Sequence, residues 1–214
     1  DAGAQAIPDL DTVMATVRQH PEVVGAAPYV GAQALLARGE DMKGAIVRGI
    51  DPAQEPQVAD LAKDLAQTAL PRLVPGEFGV ILGGELARSL GVGLGDTVTL
   101  IAPSGQVTPA GVVPRVRQMN VVGTFDSGHY EYDSALALLH VEDAARIFRV
   151  EGPTGVRIKI RDLHQAREVA IALAGQLPEG MLVKDWTRQN RTWFAAVQLE
   201  KRMMFIILTL IVAV

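Results

Sequence analysis

The chain has 214 residues, 49% hydrophobic but only 5% aromatic, so any core must be aliphatic. Its formal charge of −4 argues against a general nucleic-acid binder, which would show a basic face or stripe. The absence of cysteine excludes thiol catalysis, disulfides and cysteine-ligated zinc or iron–sulfur sites.

Asp9 is placed to cap a first helix over 9–19, where Leu10, Val13, Met14 and Val17 recur on one face and Pro21 stops the pattern. Residues 23–30 and 32–38 read as strands joined by a bend at Gly31, and 43–50 as a third, closed by Asp51-Pro52. A second helix is expected over about 57–67. Pro71, Pro75 and Gly76 then mark a boundary. Beyond it come a short strand at 80–82 and a helix over 84–90 with Leu86, Ala87 and Leu90 inward. Gly91 follows where a left-handed helix end is wanted. The Gly91-Val92-Gly93-Leu94-Gly95 run lacks the lysine and the strand-then-helix order of a phosphate loop, and reads as turns leading to a strand over 97–102.

Residues 103–114 (PSGQVTPAGVVP) hold three prolines and two glycines between strands at 98–101 and 116–125. Proline has no N–H to give, so the tip of this long hairpin is not expected to pair normally. Two readings stand: a surface loop without a role, or an extended arm that offers an apolar tip to a partner. Arg115 and Arg117 share one face of the returning strand, either as charges that blunt an edge or as a basic foot to the arm. In the polar stretch 127–133, His129, Glu131 and Asp133 alternate. In a strand they would line one face, where imidazole and carboxylates can hold a metal; most such triplets bind nothing. A strand over 135–139 and a helix over 141–148 follow, and Glu151-Gly152-Pro153 closes this part. Residues 156–186 then read as a β-α-β unit: strands at 156–160 and 181–186 around a helix capped by Asp162.

A final helix carries Trp193 and Phe194 and runs through Glu200, Lys201 and Arg202 into twelve uncharged, almost wholly apolar residues, 203–214. A core helix would need a polar face, and Thr209 alone offers one, so the tail reads as the start of a membrane span entered by a stiff connection. The chain opens on Asp1 without initiator Met or leader, as expected of an extramembrane domain between two spans. No GxSxG, HExxH or Walker A pattern occurs, and no enzyme is expected.

Residues 81–100 (ILGGELARSLGVGLGDTVTL), 120–125 (NVVGTF), 47–52 (VRGIDP) and 198–214 (QLEKRMMFIILTLIVAV) together resemble the periplasmic domain of the LolC/LolE-type lipoprotein-releasing permeases, within the MacB-like permease superfamily. The resemblance implies an α+β fold of two lobes. A Porter-like lobe would comprise 1–70 and 152–192, a Sabre-like β-rich lobe 71–151 with a hook hairpin over about 103–118, and 193–214 would lead into a truncated transmembrane helix. It implies a non-catalytic subunit without cofactor or metal, in the periplasm at the Gram-negative inner membrane. A second permease subunit and a LolD-like ATPase would accompany it. Lipoprotein would pass to a LolA-like chaperone engaged by the hook, here Pro109, Ala110, Gly111, Val112, Val113 and Pro114, with Arg115 and Arg117 at its base. LolC-type chains carry Ser-Gln-Arg where this one has Arg115-Val116-Arg117, so only Arg117 matches. Glu200, Lys201 and Arg202, at the outer interface, would face a lipoprotein route rather than lipid. A MacB-type efflux or FtsX-type signalling permease is the alternative within the superfamily.

Overall fold

The computed structural model describes residues 5–108, 111–178 and 181–184. Helix α1 (Leu10–Gln19) is capped as its sequence suggests, the Asp9 carboxylate accepting from the Thr12 N–H and hydroxyl. Strand β1 (Val23–Arg38) is one unbroken sixteen-residue strand rather than two, because Gly31 stays in the ladder opposite Arg48 of β2 (Asp41–Ile50). The region expected as one helix over 57–67 is broken into a 3-10 turn at Glu55–Gln57 and a short α2 (Asp60–Leu65). Then come β3 (Gly79–Gly83), α3 (Gly84–Ser89), β4 (Thr97–Thr108), β5 (Gly111–Phe125), α4 (Tyr130–Ala135), β6 (Leu136–His140), α5 (Val141–Phe148), β7 (Gly155–Ile160) and α6 (Ala166–Ala174).

The seven strands are hydrogen-bonded in the order β2-β6-β3-β5-β4-β1-β7, and β2 also pairs β1. Six strands therefore close on themselves, while β7 extends the N-terminal half of β1. Three aliphatic clusters fill the fold. The first packs Leu36, Val47, Leu82, Leu100, Met119 and Leu139 of the sheet against Leu86 and Leu90 of the α3 region and Ala144 and Ile147 of α5. The second places 59–73 over Ile50, Ile81, Phe125 and Leu138 on the opposite sheet face. The third joins α1 to α6 across Ala26, Val156 and Ile158.

Two further expectations are not met. Residues 181–184 form no strand, so the β-α-β unit at 156–186 lacks its second strand among the described residues. The stretch with His129, Glu131 and Asp133 is the start of α4, not a strand, so the three side chains do not line one face. Asp133 instead accepts from the Ser127 N–H and hydroxyl, both at 2.7 Å, and is consumed in closing that turn. Among the described residues no His/Asp/Glu group is placed to hold a metal, and no helix is long and apolar enough to cross a membrane. The expected final helix and span, 193–214, lie outside the described residues.

Candidate partner-binding site

Strands β4 and β5 form the arm. Their pairing runs from Thr97↔Asn120 to Ala102↔Arg115, breaks, and resumes from Gln106↔Val113 to Thr108↔Gly111. Three residues of β4, 103–105, therefore stand opposite the single Pro114 of β5. The irregularity falls where Pro103 and Pro114 remove ladder donors, as proline requires. Beyond it the backbone pairs regularly, which corrects the expectation of an unpaired tip. Gly111, Val112 and Val113 lie on β5 past the break, and Pro114 in it is exposed; Pro109 and Ala110, like Glu200, Lys201 and Arg202, are outside the described residues.

Arg115 and Arg117 do share a face, and it is the face that Met119 and Val121 bury in the first cluster. The core face thus runs out along β5 into two arginines. Arg115 is half-buried against α5: its Nη1 donates to the Ile147 carbonyl at 3.4 Å, and its buried Nε finds no partner among the described residues. Arg117 is exposed, forms no ion pair among the described residues, and sets its guanidinium carbon 3.6 Å from the centroid of the Phe78 ring. A cation over an aromatic face at an exposed site is worth about 0.5–1 kcal/mol.

Phe78 is fixed in turn. Its φ of 52° is left-handed, a conformation that costs a bulky L-residue about 1–2 kcal/mol unless the surroundings hold it. The hold comes from Asp143 in the first turn of α5. This fully buried carboxylate accepts from the Gly76 N–H at 2.7 Å and the Phe78 N–H at 3.1 Å. The Phe78 carbonyl accepts from Asn120 N on β5 at 3.0 Å. Neither Phe78 nor Asp143 stands out in the sequence. The only trace is proline and glycine at 75–76 before a strand, and an acidic residue in the first turn of a helix.

Across the sheet from the arginines, Val116, Ile101 and Leu35 pair side by side over β5, β4 and β1, with Ile46 of β2 two pairs further along, opposite Gln33. Val116, Leu35 and Ile46 are exposed at 59%, 40% and 49%, an aliphatic strip on this face at the foot of the arm. Isolated exposed aliphatics are ordinary; grouped ones are a feature that contact surfaces share.

A second polar cluster lies further along the same sheet face. Glu55, 2% exposed, accepts from Arg157 Nη1 on β7 at 3.0 Å, while its Oε2 has no partner. Arg48 of β2 sits 6.0 Å from the Tyr29 ring. Burial pushes the Glu55 carboxyl above its usual range against the pull of Arg157 and Arg48, and burial together with Arg157 lowers Arg48. The Arg157–Glu55 contact ties β7 to the 51–57 segment.

The description "MacB-like periplasmic core domain" belongs to a family model that matches residues 2–176. The chain is 45% identical over 194 residues to the "lipoprotein-releasing system transmembrane protein LolC" of Neisseria meningitidis serogroup B, covering 90% of this chain and 47% of that protein. It is 42% identical over 212 residues to the LolC of Xylella fastidiosa, covering 98% and 51%. The chain therefore spans about half the length of the curated relatives it matches. In fold it is similar to the extracellular domain of the ABC-type transporter YknZ from Gram-positive bacteria, with a TM-score of 0.52 at 13% identity, covering 86% of this chain and 89% of that one.

Proposed function

Since the chain belongs to the MacB-like periplasmic core domain family, we propose that it is the periplasmic domain of an inner-membrane ABC transporter permease of the LolC type. This permease releases outer-membrane lipoproteins and hands them to a LolA-like periplasmic chaperone. The observation that carries the reading is 42–45% identity to LolC proteins over nearly the whole chain. It is supported by a paired β4–β5 arm with the aliphatic strip and Arg117 at its foot. The domain is a docking surface and a stiff linkage, not a catalyst. ATP is hydrolysed on a separate LolD-like subunit, and a second permease subunit completes the membrane part. A Porter-like lobe of 1–70 and 152–192 with 71–151 as the Sabre-like insertion is the proposed division; the third cluster, drawn among the described residues from 7–26 and 156–181, supports joining those two stretches, while 30–47 and 59–73 share the other two clusters with 80–147. Residues 193–214 begin a membrane span, with Glu200, Lys201 and Arg202 on the lipoprotein side.

On the arm, Val112 and Val113 make the apolar contact, and Arg117 steers the encounter with an acidic partner surface. The test is chaperone binding to the intact permease carrying Val112→Asp, Val113→Asp, or Gly-Ser in place of 109–114. Each variant should weaken binding at least tenfold with little change in thermal stability. Binding that survives all three would remove the arm from the interface.

A further inference from the structure

We infer that Phe78 and Asp143 are positioning residues for Arg117, so that the loop before β3, locked to α5, aims the basic foot of the arm at its partner. The inference rests on the partner-binding reading of the arm. It comes from a chain of contacts joining segments far apart in sequence. Asp143, wholly buried on α5, accepts from the N–H groups of Gly76 and Phe78. Gly76 takes its φ of 89° freely, but Phe78 at 52° is a bulky residue in the left-handed region, and the carboxylate helps to hold it there. The Phe78 carbonyl is tied to Asn120 of β5, three residues past Arg117. The ring so fixed packs its body on the first cluster and lies beneath the Arg117 guanidinium.

Contact through the face of a guanidinium leaves its N–H donors unspent, available to grip a carboxylate in fork geometry. An unsupported arginine samples many rotamers and loses them on binding. One laid on a fixed ring has lost part of that freedom beforehand. The ligand chemistry is thus a carboxylate on the acidic surface of the partner, met by an arginine already pointed at it. Arg115, whose Nη1 is spent on the Ile147 carbonyl, is held by the same helix but turned inward.

Chaperone binding to the intact permease in nanodiscs tests this by a double-mutant cycle. Phe78→Leu should weaken binding about 3- to 10-fold in the native background and have no effect when Arg117→Ala is already present. Phe78→Tyr, which keeps the ring face, should restore it. Val112→Asp should weaken binding equally in both backgrounds. An equal loss from Phe78→Leu with and without Arg117, or no loss in either, overturns the inference, whereas binding that survives every arm variant overturns the docking reading alone. A partner-independent measurement stands beside the cycle: exchange of the Arg117 Nε proton with water, by NMR of the chain in micelles. Phe78→Leu and Asp143→Asn should each quicken that exchange; unchanged exchange in both would overturn the positioning role whatever the partner.

Discussion

Arg157 on β7 reaches Glu55, 102 positions earlier in the chain, with Nη1 3.0 Å from Oε1. This contact crosses from the last strand to the loop after β2, so it ties together two segments separated by the whole of β3–β6. The carboxylate is enclosed while the guanidinium keeps a 37% exposed side chain, an asymmetry that determines how the pair responds to substitution and to pH.

Glu55→Ala should cost at most about 2 kcal/mol in urea unfolding at pH 7, below the 3–5 typical of a broken buried pair, because the partly exposed Arg157 rehydrates and the burial penalty of the ionised carboxylate is relieved. The pH response has the opposite sign to that of an ordinary salt-bridged acid. Burial raises the Glu55 pKa above 4.5, so in the fold it takes up a proton before the unfolded chain does. Its contribution to stability therefore improves as pH falls through the raised value, and its penalty is complete above it. The Tm difference between the native chain and Glu55→Gln should shift in favour of the native chain on going from pH 7 to pH 5. A constant difference would show that Glu55 titrates normally.

Asp60 behaves in the reverse way. Hydrogen bonds and charge from Lys159, at 2.7 Å, and Lys63, at 2.9 Å, hold its carboxyl down to about 2. Its folded pKa is depressed, so any stability it brings is present above pH 4 and fades as pH falls through about 2. The carboxyl lies in solvent, where the pair is screened, so 1 M salt should move its titration, followed by carboxyl carbon NMR, back toward 3.8. Lys159→Met should do the same at low salt.

The local grammar of this chain was legible, and its long-range bookkeeping was not. The cap at Asp9, the helix over 141–148, the inward Leu86, Ala87 and Leu90 and the left-handed Gly91 all follow from nearest-neighbour chemistry, and each appears in the fold. Gly31 misled because a glycine paired within a ladder looks, in sequence, like one that ends it. His129, Glu131 and Asp133 misled because a period of two over three polar positions fits a strand as well as the first turn of a helix. At the site, the apolar arm and Arg117 were visible as a composition break. Phe78 and Asp143 were not, since their role depends on the chain folding back across a separation of 65 positions.

Gly49 of β2 faces α5 so closely that an added Cβ would collide with that of Ala144 and stand 3.2 Å from the Val141 Cα. The nearest atoms are a short side chain and backbone, so neither can swing aside. Gly49→Ala should cost about 1–3 kcal/mol by overpacking. Because α5 carries Asp143 and Ile147, the same substitution should disturb the foot of the arm, weakening partner binding beyond the few-fold loss from Phe78→Leu. Full binding in a destabilised Gly49→Ala chain would mean that α5 can shift without moving the arginines.

Arg115 and Arg117 sit two positions apart on one face, yet they should respond to mutation in opposite ways. Among the described residues the buried Nε of Arg115 meets no acceptor, and the Nη1 hydrogen bond to Ile147 is long at 3.4 Å. A buried donor without a partner costs about 1–3 kcal/mol, so Arg115→Met, which keeps the stem, should leave stability unchanged or raise it by about 1 kcal/mol. Arg117 has its charge in solvent, where a rim cation acts on encounter rate. Arg117→Met should lower the association rate with an acidic partner and flatten its dependence on ionic strength, with little change in Tm. Arg115→Met should alter that salt dependence less, because its guanidinium is turned into the sheet–helix junction. An association rate that falls as steeply for Arg115→Met as for Arg117→Met would show that the two arginines meet the partner together.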